Sequence, residues 1–287
     1  MDAGARLVGR HGLICTTDAD SQPREDWMAQ LWRSLDQGAE AVAGSIDFDP
    51  REATPAFSPG RRLEAEFSAL QAELAARLDP EPHNPWPNHV WAWGANLAVT
   101  ARAYRRAGGL PPVRLAEDRA FVERLRGLDI PVRHSLEARV WTSPRRRGRA
   151  PGGLADLVAD HASADLEPCD AALEPAFDVA RRAVWRRRLR AARASGVAGE
   201  AWRERLGVPQ AFMDAVWRGD TFGSAWLAIE RRSLLLRRRR LTLGDLPREI
   251  SRAHSLLTAL RPAGPADLVD NARAVSAGLW SAEAPLR

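Results

Sequence analysis

At 287 residues, 45% hydrophobic and 28% charged, the chain is long enough for one large or two modest globular cores. No apolar run nears the roughly 18–20 residues of a membrane span, Met1–Gly12 lacks a signal-peptide stretch, and Cys15 and Cys169 lie too far apart in sequence to suggest a disulfide framework or zinc site, so a cytoplasmic location is expected. Net charge is +5 and all 42 basic residues are arginine, which fits codon bias better than selection for phosphate, so a pI near 10.5 argues only weakly for nucleic acid.

Met1–Leu7 reads as a helix tail. Leu13–Thr17 is a short apolar, β-branched run, expected as a buried strand ending in the turn-forming stretch Asp18–Pro23. Met28, Leu31 and Leu35 predict a helix over 26–37, and Ala41–Asp47 a second strand. Ser58 then caps a helix with Pro59 at its first position and an apolar stripe of Leu63, Phe67, Leu70, Leu74 and Leu78, stopped by Asp79-Pro80. A proline-rich loop leads to a predicted strand over Val90–Val99, and Thr100 caps a short helix ending at Gly108-Gly109. A helix is expected from near Asp118, then strand-like stretches Pro131–Ser135 and Ala138–Thr142, then the basic segment Ser143–Gly153. Beyond Leu154 helices take over, with arginine runs at 181–190 and 237–240 and tryptophans at 185, 202, 217 and 226. Two regions are expected, 1–154 as an α/β domain and 155–287 as a helical appendage whose tryptophans pack on the first domain while its arginines are solvated.

Four segments can carry chemistry. Asp18 and Asp20 are spaced by one residue after a buried strand; in extended backbone both carboxylates point the same way. They can then share one hard divalent cation, magnesium or manganese, which bridges a diphosphate and neutralises a leaving group. The bland reading is that aspartates simply make good turns. Glu117-Asp118 opens a helix, where a carboxylate accepts backbone N–H bonds and can serve as a base, or only as a cap. Gly94-Ala95-Asn96 permits close approach of a ligand, or of another strand. Arg145, Arg146, Arg147 and Arg149 around Gly148 form either a clamp on phosphates or a solvated basic loop. His134 could add a metal ligand, although a lone strand histidine is more often structural.

Taken in order, TTDADSQPREDW, then Ala43-Gly44, then GANLAVTARAYRRAGGL, then AEDRAFVERL, then Arg146 with Gly148-Arg149, the chain resembles family 2 of the nucleotide-sugar glycosyltransferases over about residues 5–153. The resemblance implies a GT-A fold, a Rossmann-like α/β sandwich, here followed by an α-helical C-terminal region. It implies a metal held chiefly by Asp20, Asp18 helping to hold the metal or the donor ribose, and Asp118 as the base that deprotonates an acceptor hydroxyl for in-line, inverting attack. Glu117, Gly94 and Asn96 would line the donor or acceptor pocket, with Arg146 and Arg149 near the diphosphate. The implied partners are a nucleotide-sugar donor and a carbohydrate, lipid or small-molecule acceptor, with no nucleic acid. The arginine- and tryptophan-rich helices add an expectation of peripheral membrane contact.

Members of that family place a whole nucleotide-binding half before this point, whereas seventeen residues precede Asp18. The expectation is therefore a start assigned too late, or a truncated remnant whose parallel sheet leaves an edge unpaired. The alternatives to a working transferase are a catalytically inactive scaffold and an arginine-rich nucleic-acid binder, the latter predicting steep salt dependence. A carboxylate-pair hydrolase fits the D-x-D spacing less well than a metal does.

Overall fold

The computed structural model describes residues 1–9, 12–49, 51, 58–143, 165–197 and 200–260. Its elements in chain order are α1 (Asp2–Leu7), β1 (Leu13–Thr16), β2 (Ser21–Pro23), α2 (Trp27–Asp36), β3 (Ala41–Phe48), α3 (Pro59–Leu78), β4 (Leu97–Thr100), α4 (Ala101–Arg106), α5 (Glu117–Gly127) and β5 (Val132–Thr142). There follow α6 (Ala176–Ala194), α7 (Glu200–Leu206), α8 (Gln210–Trp217), α9 (Phe222–Arg232) and α10 (Leu246–Ala259). The fold is mixed α/β, a five-stranded sheet with helices packed on it and a run of helices after it.

Strand order is β1-β4-β3-β5-β2. Only β3 and β5 pair in parallel; the other three pairings are antiparallel, so the expected parallel sheet is a mixed one. The period-two alternation of strand side chains sorts the residues onto two faces. Val42, Ala98, Ala138 and Val140 pack against Trp27 and Leu31 of α2. Ala41, Ala43, Leu97 and Val99 face the other way, against Tyr104 of α4 and Phe121, Val122 and Leu125 of α5.

The two strand-like stretches expected at 131–135 and 138–142 are one strand. Gly44 pairs with Ser135 and Ser45 with Arg139, so Leu136–Ala138 bulge out of the ladder. Ser135 Oγ accepts from the N–H groups of Glu137 and Ala138, and Ser45 Oγ donates to Leu136 O at 3.0 Å, which closes the bulge with side-chain partners. The strand expected over Val90–Val99 shortens to Leu97–Thr100, preceded by a 3-10 turn at Gly94–Asn96. The reason is where the backbone bonds go. Trp91 O meets His134 Nδ1 at 2.8 Å and Trp93 O accepts from Asn96 N–H, so these carbonyls bond to a side chain and a local turn rather than to a ladder.

Helix α3 begins as its cap signals require, with Ser58 Oγ accepting from Arg61 N–H and Pro59 in the first turn. Its apolar stripe does not pack on the sheet. Phe67, Leu74 and Leu78 share a core with Leu173, Val179 and Ala180 and with Leu246, Ile250 and Leu257 of α10. A second C-terminal core joins Trp185, Leu189, Leu206, Met213, Trp226 and Ile229, with Trp202 meeting Trp185 edge-on. Trp185, Trp202, Trp217 and Trp226 thus pack within the helical region and not on the sheet domain, contrary to expectation.

Nor are the arginines of α6 merely solvated. Arg186 and Arg190 both bond the carboxylate of Asp79, which is buried at the end of α3. Arg182 joins buried Glu174 and Glu230, and Asp178 takes Arg181 and Arg239. Charged side chains enter this interior because each carboxylate carries a guanidinium partner.

Candidate functional site

The register of the sheet gathers the D-x-D segment and Gly94–Asn96 at one end. Thr16, the last residue of β1, pairs with Leu97, the first of β4, and Leu97 also pairs with Ala43 of β3. Because β4 runs against its neighbours, Gly94–Asn96 before it lies beside Thr17-Asp18 after β1. Thr16 Oγ1 donates to Leu97 O at 3.1 Å and fastens the two segments together. This is the carboxyl end of β1 and β3, where open α/β sheets place ligand crevices.

Asp18-Ala19-Asp20 is a turn, with Asp18 O accepting from Ser21 N–H at 3.0 Å, whereas Ser21–Pro23, expected to continue the turn-forming stretch, is strand β2. The alternation argument for parallel carboxylates, which needs extended backbone, therefore does not apply. Asp18 is exposed and Asp20 partly buried. Among the described residues no group of three or more His, Cys, Asp or Glu side chains is arranged to hold a metal. Two hard carboxylate donors fit a magnesium- or manganese-type ion that takes its other ligands from phosphate oxygens and water, and not one caged wholly by protein.

Asp118 is bound to the same end. Its Oδ2 accepts from Gly94 N–H at 2.7 Å and its Oδ1 from Arg119 N–H at 2.6 Å, so the first turn of α5 is fixed to the Gly94 turn. Glu117 beside it is exposed and Asp118 partly buried. The residue before them, Ala116, has φ +57° and ψ +40°, a left-handed conformation that costs a non-glycine residue about 1 kcal/mol or more. Nothing in the sequence marks this, since neither glycine nor asparagine stands there. Arg119, next to Asp118, pairs with Asp170 at 3.1 Å and ties α5 to the segment before α6.

Asn96 is fully buried and its amide is committed to protein. Its Nδ2 donates to Ser45 O at 2.7 Å and Ala138 O at 2.8 Å, and its Oδ1 accepts from Trp27 Nε1 at 2.9 Å. It bridges the β3–β5 bulge to α2. Trp27, its partner, was invisible as a site residue because indole-to-amide contacts between residues 69 positions apart leave no local pattern. His134 is equally engaged: Nδ1 faces Trp91 O, leaving Nε2 to accept from Arg126 at 2.9 Å, and burial, with Arg126 beside it, holds its pKa well below the ordinary value. It has no nitrogen left for a metal.

Arg146 and Arg149 fall outside the described residues. The chain leaves β5 at Thr142, which pairs with Ser21, one residue after Asp20. Comparison with family models, with curated proteins and with solved structures returned no match for this chain.

Proposed function

We propose that the chain is the metal- and acceptor-binding part of an inverting glycosyltransferase of the GT-A type, taking a sugar from a nucleoside diphosphate. One observation carries the reading: three segments distant in sequence, Asp18–Asp20, Gly94–Asn96 and Glu117-Asp118, meet at one end of the sheet. In this reading Asp18 and Asp20 would hold a divalent cation, and the chemistry it would supply is charge neutralisation of a diphosphate leaving group. Asp118 takes the proton of the acceptor hydroxyl; the Gly94 N–H fixes the carboxylate's direction, and each of its oxygens keeps a lone pair beyond its backbone bond. Arg146 and Arg149, a few residues beyond the strand end that borders Asp20, are the proposed diphosphate contacts.

The test is calorimetric titration of UDP and GDP into the chain with and without manganese. Binding that needs manganese, is lost in Asp20→Ala and survives in Asp118→Asn supports the assignment, because asparagine still offers Gly94 an acceptor oxygen. A folded protein that binds neither nucleotide, even with manganese present, contradicts it and favours the inactive scaffold.

A further inference from the structure

The corner where α6 meets α7 holds an open cavity of about 560 Å³. Arg188, Ala191, Ala192 and Ser195 recur at helical spacing and so share one face of α6. Trp202 and Arg205, three residues apart on α7, line the cavity with them. Gly196, at φ +69°, ends α6, and Val197 N–H returns to Ala192 O at 2.9 Å. That turn brings Val197 to the cavity too, where Trp217 Nε1 fixes it by donating to Val197 O at 3.1 Å. Trp185 meets the Trp202 ring edge-on, with centroids 5.9 Å apart. The space stays open because the face that α6 presents beyond Arg188 carries only small side chains.

Two kinds of chemistry line this cavity. Ala191, Ala192, Val197 and the Trp202 ring are apolar, a surface suited to a flat aromatic body. Arg188 comes from α6 and Arg205 from α7, so guanidinium groups on two different helices border the same space. Burial and the positive charge of Arg205 both lower the pKa of Arg188, as like charges near each other must. Arg182, Arg186 and Arg190 of the same helix stand instead against the carboxylates of Glu174, Glu230 and Asp79. Among the described residues that line the cavity, none is acidic. Its charge is thus complementary to an anion, and a planar carboxylate matches the guanidinium fork with two parallel hydrogen bonds.

We infer that the cavity between α6 and α7 binds a small aromatic carboxylate, its ring against Trp202, Ala191 and Val197 and its carboxylate between Arg188 and Arg205. The site shares no residue with Asp18–Asp20, Gly94–Asn96 or Glu117-Asp118, and it stands whether or not the chain transfers sugar.

Isothermal titration of indole-3-acetate into the whole chain, without nucleotide or metal, tests the inference. Indole-3-acetamide, decanoate and inorganic phosphate are the comparisons. The acid is expected to bind, and the amide, with the same ring and no charge, to bind at least about tenfold more weakly. Arg188→Gln with Arg205→Gln is expected to weaken binding about a hundredfold, from roughly tenfold for each guanidinium contact. Ala191→Glu sets a carboxylate at an exposed position of α6, three residues from Arg188. It should abolish binding while the circular dichroism spectrum and melting temperature stay those of the parent, which separates loss of the site from loss of the fold. Arg114→Gln with Arg232→Gln removes the same charge from exposed positions outside the cavity and should bind as the parent does. No heat from indole-3-acetate at millimolar concentration overturns the inference. So does equal binding of acid and amide, binding that survives Ala191→Glu, or equal loss in the two arginine pairs. Tighter binding of decanoate would mark an acyl-chain groove and tighter binding of phosphate a bare anion site, and either would replace the aromatic carboxylate.

Discussion

Gly44 and Gly94 lie at the same end of the sheet, yet a methyl group should have opposite consequences at the two. A Cβ built on Gly44 would stand 2.2 Å from Asn96 Nδ2 and 2.3 Å from Ala138 O, closer than such atoms come. The Ala138 carbonyl belongs to the bulge and cannot swing away, so Asn96 must move. Its three hydrogen bonds, to Trp27, Ser45 and Ala138, are then stretched or lost in a site closed to water. Overpacking costs about 1–3 kcal/mol and a buried polar group left unpaired about 1–3 more, so Gly44→Ala should destabilise by about 2–6 kcal/mol. On Gly94 a Cβ meets Asp118 Oδ2 at 3.7 Å, an ordinary contact, and the backbone is not left-handed. Gly94→Ala should therefore stay within about 1 kcal/mol of the parent. Urea unfolding followed by circular dichroism measures both. A Gly44→Ala protein as stable as Gly94→Ala would refute the account of Asn96 as the bridge that holds the bulge.

Two further outcomes follow from buried ionisable groups. His89 accepts from Trp91 N–H at Nδ1, and burial holds its pKa at about 4, so the unfolded chain takes up a proton below about pH 6.5 that the folded chain refuses. Its stabilising effect is present above that pH and is lost as the pH falls toward 4, a change of about 3 kcal/mol; the urea midpoint should drop between pH 7 and pH 4.5, and His89→Gln should flatten the slope. Asp79→Asn should leave Arg186 and Arg190 facing an uncharged amide at the end of α3, at a cost toward the lower end of about 3–5 kcal/mol because both guanidinium groups touch water. A melting temperature unchanged in that variant would show the pairs to be incidental.

What was legible in the sequence was local. The Ser58-Pro59 cap, the stop at Asp79-Pro80 and the short helix after Thr100 depend on neighbours a few residues away, and all three stand in the structure. The errors lie where a distant partner decides. Tryptophans at 91 and 93 raise strand propensity, but the carbonyl of Trp91 is claimed by His134, 43 positions on. Ser21–Pro23, expected within a turn-forming stretch, is a strand because it pairs with the end of β5, and that pairing lies some 120 residues downstream. Arginine runs look alike whether solvated or paired. Only the fold shows that Asp79 faces Arg186 and Arg190, over 100 positions away. For the candidate site, the individual residues could be named from sequence, but the hydrogen bond from Gly94 to Asp118 that joins two of the segments could not.

Helix α3 leaves the chain between β3 and β4, yet its apolar face belongs to the helices that follow β5. A fragment ending near residue 154 would contain all five strands and still present Phe67, Leu74 and Leu78 to water with nothing to cover them. The complementary fragment would hold α6 and α10 with an open groove where α3 belongs. The molecule is in this sense stitched rather than concatenated. Neither part can be exchanged or inherited as a free module without taking the other's stitch with it, and fragments mixed in trans would find each other through α3 before any site at the sheet's end could form.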